Sequence, residues 1–326
     1  LRPANQEKPY VLPRGRNQKM SVLNANRQYV VYVSYHYLSI TEDKNNIIAK
    51  IMLYPTAFFT NNHVSLHIYK NKLPMKILYY IYQICIALPI LLVLTILTAI
   101  VTIVGSLLGG AHFWGYYPGK IWSQLICLFL LIPVKIHGRE KLHGKTSYIF
   151  VPNHQGSFDI FLIYGFIGRN FKWMMKKSLR KIPFVGKACE SAGHIFVDRS
   201  GPKKVLETIR QAKDSLKDGV SLVVFPEGAR TFTGHMGYFK KGAFQLADDL
   251  QLAVVPVTID GSFEILPRTG KWIHRHRMIL TIHDPIPPKG KGMENIKATM
   301  AEAYAAVESA LPEKHKGMIT NEDQDR

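Results

Sequence analysis

Val151-Pro-Asn-His-Gln-Gly-Ser-Phe-Asp159 joins two different kinds of sequence. Residues 147–151 before it form a short apolar, strand-like run, and residues 160–167 after it have helical character. A strand, a glycine-bearing loop and a helix make one β–α step. The same alternation recurs downstream. Strands are expected at 171–175, 194–197, 221–225, 254–259 and 278–283. Between them, Pro202 opens a helix with Val205, Ile209, Ala212 and Leu216 on one face. Met293, Ile296, Met300, Ala303 and Val307 form a second stripe. Both stripes read as core. The expected fold class is α/β over residues 135–311, with a largely parallel or mixed central sheet flanked by helices.

Upstream the composition changes. Residues 77–119 contain no Asp, Glu, Lys or Arg, and residues 121–134 are again apolar. The first run is long enough for a bilayer core of roughly 30 Å. The second is short. This predicts an N-terminal membrane helix, bent at Pro89, and a second short membrane-associated helix over 75–134. Trp114, Tyr116, Tyr117 and Trp122 would form an interfacial aromatic belt. Residues 1–74 hold nine Asn and seven Tyr, against four Asn in all of 75–326. They show no sustained period. They read as an upstream extension, non-native or unassigned, with Met75 as the start; a short accessory domain is the alternative. Residues 312–326 read as a disordered tail.

The formal net charge is +19, which calls for an anionic neighbour: nucleic acid, a membrane face or a phosphorylated substrate. No nucleic-acid module is recognisable. The three cysteines, Cys85, Cys127 and Cys189, imply no disulfide framework.

His154 and Asp159 lie five positions apart. On one continuous helix they would point about 140° apart. They meet only if His154 is on the loop and Asp159 is in the first helical turn, with Gly156 making the turn and Ser157 capping. Asp159 would then fix the imidazole tautomer and leave the other nitrogen as a base. From spacing alone, an independent strand-end His and a capping Asp is the plainer reading. Ser157 lacks the glycine-flanked elbow of a nucleophile, so the attacking hydroxyl would be the substrate's. In Phe225-Pro-Glu-Gly-Ala-Arg230, Arg230 is placed to grip a phosphate, and Glu227 to accept from a hydroxyl or orient the arginine. A surface turn with a salt bridge reads equally well. Arg199, ending Gly193-His-Ile-Phe-Val-Asp-Arg199, is a second phosphate candidate or half of a structural ion pair. Lys176, Lys177, Lys240 and Lys241 would line the same face or meet lipid headgroups. No ligand cluster has zinc spacing.

Four blocks in order resemble the glycerolipid acyltransferase family marked by a His, four residues and an Asp, and look closest to its 1-acyl-sn-glycerol-3-phosphate acyltransferases. They are Asn153-His154 to Asp159; Lys176-Lys-Ser-Leu-Arg-Lys-Ile-Pro-Phe-Val-Gly186 with the strand ending at Arg199; Phe225 to Arg230; and Val254-Val-Pro-Val257. Ala229 and Thr231 depart from the family's usual Thr and Ser. The resemblance implies acyl transfer from acyl-CoA or acyl-carrier protein to the sn-2 hydroxyl of 1-acyl-sn-glycerol-3-phosphate. His154 would be the base and Asp159 its partner. Glu227, Gly228, Arg230, Arg199, Asn153 and Lys176 would hold the acceptor; the oxyanion donors are not legible in the sequence, and backbone N–H groups near Gly156 are the candidates. It implies no metal or cofactor, a membrane lipid and a thioester carrier as partners, no nucleic acid, and a cytoplasmic membrane with the catalytic domain facing the cytoplasm. The alternatives are another lysolipid or glycerol-3-phosphate as acceptor, or a non-catalytic membrane-anchored lipid-binding protein.

Overall fold

The computed structural model describes residues 22–25, 28–33, 36–43, 46–52, 57–60, 63–66, 75–198, 201–216 and 219–317. The chain divides into two units, Leu1–Tyr82 and Gln83–Arg326. In the first, β1 (Val22–Ala25), β2 (Gln28–Val33), β3 (His36–Asp43), β4 (Asn46–Met52), β5 (Ala57–Thr60) and β6 (His63–Leu66) pair antiparallel in sequence order. These strands, of four to eight residues, were not expected from the sequence, which shows no sustained period there. Helix α1 (Met75–Tyr82) ends the unit.

The second unit opens with a π-helical turn, Gln83–Ala87, and α2 (Leu88–Gly105). The stretch Met75–Trp114, 40 residues, is long and apolar enough to cross a membrane. Pro89 lies in the first turn of α2, where a missing N–H is harmless. The sharp break comes later, at Gly109, whose φ of 97° is left-handed. Helix α3 (Ala111–Trp114) follows, then α4 (Tyr117–Phe129). The second helix thus begins four residues before the expected run at 121, because Pro118 opens it rather than breaking it. It ends well before residue 134. Pro133 leads instead into β7 (Val134–His137), a strand not expected from the sequence.

The aromatic belt needs correction. Tyr116 is 2% exposed and stacks on Tyr164, with ring centres 5.7 Å apart. Trp122 donates from Nε1 to Thr95 Oγ1 at 2.9 Å, tying α4 to α2. Both face protein, because their polar atoms and ring faces find better partners there than at a headgroup.

The α/β domain follows in chain order. It comprises β8 (Ile149–Pro152), α5 (Asp159–Phe166), β9 (Phe171–Lys176), α6 (Val185–Ser191), β10 (Ile195–Val197), α7 (Pro202–Ser215), β11 (Ser221–Val223), α8 (Gly242–Leu250), β12 (Val254–Asp260), α9 (Ser262–Ile265), β13 (Met278–Ile282) and α10 (Met293–Ser309). The sheet order is β10-β9-β11-β8-β12-β13-β7. The first five strands are mutually parallel, β13 runs antiparallel to β12, and β7 is parallel to β13. The sheet is therefore mixed. β8 and β11 are buried at every position, as expected of central strands covered on both faces. Ile296, Ala303 and Val307 of α10 are buried against this core, whereas Met293, the first residue of the expected stripe, is 51% exposed.

A buried hydrogen-bond chain ties the sheet to the apolar helices. The Trp173 backbone N–H donates to His194 Nδ1 at 3.3 Å. His194 Nε2 then faces the Tyr164 hydroxyl at 3.3 Å, and that hydroxyl donates to Gly115 O at 3.2 Å. With Nδ1 accepting, the proton of the neutral imidazole sits on Nε2, so every link has one direction. Burial, reinforced by Lys172, pulls the His194 pKa down to about 3, in keeping with that neutral ring.

Candidate active site

The site is built at the carboxyl ends of β8 and β11, where ligands meet sheets of this kind. Chain leaving β8 carries Asn153 and His154, and α5 begins at Asp159 itself. The His is thus on the loop and the Asp in the first turn. His154 Nδ1 and Asp159 Oδ2 lie 2.6 Å apart. Asp159 is fully buried, and the His154 side chain keeps 15% exposure. Oδ2 also accepts from the Gly156 N–H at 3.0 Å. With Nδ1–H held by the carboxylate, Nε2 is the imidazole atom left for other chemistry.

Two expectations about this loop change. Ser157 does not cap α5; its hydroxyl accepts from Arg230 Nη1 instead. The Gly156 N–H points at Asp159 and so is not available to a developing oxyanion. What Gly156 needs is room. A Cβ placed there would lie 2.7 Å from Ser262 Oγ and 2.8 Å from Ser262 O.

Three further contacts hold His154, one at the ring and two at its backbone. Its ring stacks on Phe225 with centres 3.8 Å apart and planes at 16°, and Phe225 stacks on Trp173 at 5.6 Å. The His154 N–H donates to Glu227 Oε1 at 2.6 Å, and His154 O accepts from the Thr231 N–H at 3.0 Å. The two loops that carry the site therefore bond directly.

Glu227 was expected to meet a substrate hydroxyl or Arg230. Both its oxygens are already engaged, Oε1 by His154 and Oε2 by the Gly237 N–H at 2.9 Å. It is a brace under the His154 backbone. Burial pushes its pKa up to about 8 against the pull of those two N–H groups. Asn153 was expected to touch substrate. It is buried, donating from Nδ2 to Ile259 O at 2.9 Å and accepting at Oδ1 from the Ile259 N–H at 2.7 Å. It pins the loop to β12, with both its amide oxygen and its amide nitrogen engaged by Ile259.

Asn153→Ala should therefore leave both Ile259 backbone groups buried and unpaired. The expected loss is about 2–6 kcal/mol of stability, at roughly 1–3 kcal/mol for each stranded group. Denaturant unfolding checks this, with KM for the folded fraction nearly unchanged.

Gly228 takes φ +77°, and a Cβ there would come 3.1 Å from Lys240 Nζ. Arg230 lines a cavity of about 310 Å³ together with Glu227, Thr231, Phe232, Lys240 and Arg268. Arg268 donates to Arg230 O at 3.1 Å and lies 4.0 Å over the Phe232 ring. His154 stands beside this cavity, joined to its wall through Thr231. Three cations against one braced carboxyl make it a pocket for an anion. Of the four lysines expected either on this face or against lipid headgroups, Lys240 lines the cavity; Arg268 was not expected from the sequence, because it lies far along the chain in a loop with no motif. Lys176 is exposed at the end of β9. Arg199 lies outside the described residues.

The chain resembles known proteins in sequence and in fold. A family model described as Acyltransferase matches residues 133–260. The chloroplastic 1-acyl-sn-glycerol-3-phosphate acyltransferase of Arabidopsis thaliana is 33% identical over 173 residues, 52% of this chain and 48% of that protein. The chain thus spans about half the length of that plant relative. The 1-acyl-sn-glycerol-3-phosphate acyltransferase of Saccharomyces cerevisiae is 32% identical over 191 residues, 57% of this chain and 62% of that one. An uncharacterized acyltransferase of Schizosaccharomyces pombe is 30% identical over 217 residues, 66% of this chain and 78% of that one. Among solved structures, the 1-acyl-sn-glycerophosphate acyltransferase PlsC of Thermotoga maritima superposes with a TM-score of 0.59 at 28% identity, covering 72% of this chain and 95% of that one. A His on a loop bonded to an Asp in the first turn of the helix that follows, a basic pocket beside it and these likenesses lead to one conclusion: the chain belongs to the acyltransferase family.

Proposed function

We propose that this protein transfers a fatty acyl group from acyl-CoA or acyl-carrier protein to the sn-2 hydroxyl of 1-acyl-sn-glycerol-3-phosphate, giving phosphatidic acid. The observation that carries the reading is the 2.6 Å His154–Asp159 contact beside a pocket lined by Arg230, Lys240 and Arg268. The named activities of the plant and yeast relatives support it.

His154 Nε2 takes the proton of the acceptor hydroxyl as its oxygen attacks the thioester carbonyl. The imidazolium is stabilised by Asp159 through Nδ1–H. The tetrahedral intermediate then expels the thiolate, which recovers the proton from Nε2. The products are a new ester and a free thiol, and the reaction balances without a metal or cofactor. Arg230, with Lys240 and Arg268, holds the acceptor's phosphate. Glu227 and Asn153 act behind the site by fixing the backbone around His154.

The acceptor is a lipid, so the site must work at a membrane surface, and the Met75–Trp114 helix supports that placement. Thioesters of CoA and carrier protein are soluble and charged. They would approach from the aqueous side, which for a cytoplasmic membrane is the cytoplasm.

The test is an acceptor panel in membranes with an acyl thioester. Arg230→Ala should raise KM for lysophosphatidate on the order of 10–100-fold, the worth of one charge-assisted bond, and harm a phosphate-free monoacylglycerol much less. Equal loss on both acceptors would remove the phosphate from this pocket. Preference for another lysolipid would move the function within the family.

A further inference from the structure

The segment after α10, expected to be a disordered tail, contains a 3₁₀ turn, Glu313–His315, and His315 is 4% exposed. A histidine so buried near the end of an element needs partners, and its partners are the loops of the active site. Gln155, next to His154 and itself buried, uses its two amide protons there. Nε2 donates to Gly234 O at 3.2 Å and faces His315 Nδ1 at 3.4 Å. His315 Nε2 lies 3.5 Å from Glu264 Oε1, which also pairs with Lys314. Asp260, Glu264 and His315 are close enough to suggest a metal site, but Lys314 already supplies Glu264 with a cation.

The fit is steric as well. Gly234 has φ +90°, and a Cβ on it would sit 2.9 Å from His315 Nε2 and 3.1 Å from Phe263 Cδ1. Only a glycine lets the ring in. The Phe263 ring meets the His315 ring edge-on at 5.8 Å. Two more contacts hold the turn: His235 Nδ1 to Lys316 O at 2.9 Å, and the Gly317 N–H to Glu308 Oε1 at 3.1 Å.

Gln155 belongs to the loop carrying His154, and Gly234 to the loop carrying Arg230. We propose that His315 is a positioning residue: through Gln155 and Gly234 it clamps the base-bearing loop to the phosphate-bearing loop and so sets the distance between His154 and the acceptor. Burial lowers the proton affinity of the His315 imidazole, which keeps Nδ1 an acceptor for Gln155. The proposal rests on the acyl-transfer reading for its kinetic consequence, but not for its structural one.

The test compares the full wild-type chain with His315→Leu and His315→Asn in phospholipid nanodiscs. Asn can present a carbonyl oxygen near the position of Nδ1; Leu fills the space without an acceptor. Amide hydrogen exchange is followed in peptides spanning 153–158 and 231–237, beside kcat and KM for lysophosphatidate. In His315→Leu, exchange in both peptides should speed up about tenfold, and kcat should fall on the order of 10–100-fold at nearly constant KM, the effect of a small misplacement of reacting groups. His315→Asn should recover most of both.

Unchanged exchange in His315→Leu would overturn the proposal. So would equal behaviour of the two variants in step with their Tm. If exchange responds as expected but wild type acylates no lysolipid, the clamp stands and the proposed function falls.

Discussion

Replacing His154 by Ala is expected to lower turnover on the order of 10⁴–10⁶-fold, the range seen when a catalytic base of this kind is removed. The fold should survive. The imidazole lies on Phe225 at the mouth of the sheet, not inside the central core, and the backbone bonds of His154 to Glu227 and Thr231 do not use its side chain. What disappears is Nε2, the imidazole atom that the Nδ1 contact with Asp159 leaves free to take the hydroxyl proton. The check is single-turnover acyl transfer to lysophosphatidate in membranes, with the Tm of wild type and variant measured in parallel. Turnover within about tenfold of wild type would show that the base is another group.

The second large effect is expected at Asp159. Asp159→Asn preserves shape and removes the charge. In the native site Oδ2 accepts from both His154 and the Gly156 N–H. An Asn can meet this arrangement in two ways, both poor. With its oxygen toward these donors it holds the ring but cannot stabilise the imidazolium. With its NH₂ toward them it opposes the Gly156 N–H and forces Nδ1 to accept, which puts the proton on Nε2, the wrong nitrogen for a base. A loss on the order of 10⁴-fold in kcat is expected, as for a comparable tautomer-fixing Asp elsewhere. KM for both substrates should change little, because Asp159 is buried and out of their reach. A loss below about tenfold would mean that the carboxylate only shapes the loop.

Much of this was legible in the sequence because it is local. The six expected strands of the α/β domain appear within a few residues of their places, since a short β-branched or apolar run between turns has few other uses. For His154 and Asp159 to meet, their spacing required a loop–helix junction between them, and α5 starts there. What the sequence hid was at a distance. Asn153 finds its partner 106 positions away in Ile259, and Gln155 finds His315 160 positions away. No period or motif records such a pairing, so Asn153 looked like a ligand and His315 like part of a tail. Glu227 misled for a related reason. A carboxylate beside an arginine suggests a polar contact, but its partners are backbone groups, which every sequence possesses.

The one-way relay from Trp173 through His194 and Tyr164 to Gly115 bears on how the protein should be prepared. Gly115 lies between α3 and α4, outside the α/β domain proper. Trimming the chain to a water-soluble fragment that starts at β7 would strip Tyr164 of its acceptor and bare the ring face that Tyr116 covers. A hydroxyl stranded in an apolar wall costs about 1–3 kcal/mol, and it would sit beneath the aromatic stack that seats the imidazole. The apolar helices are thus a foundation of the catalytic half, and purification in detergent or nanodiscs is the route that keeps the two together.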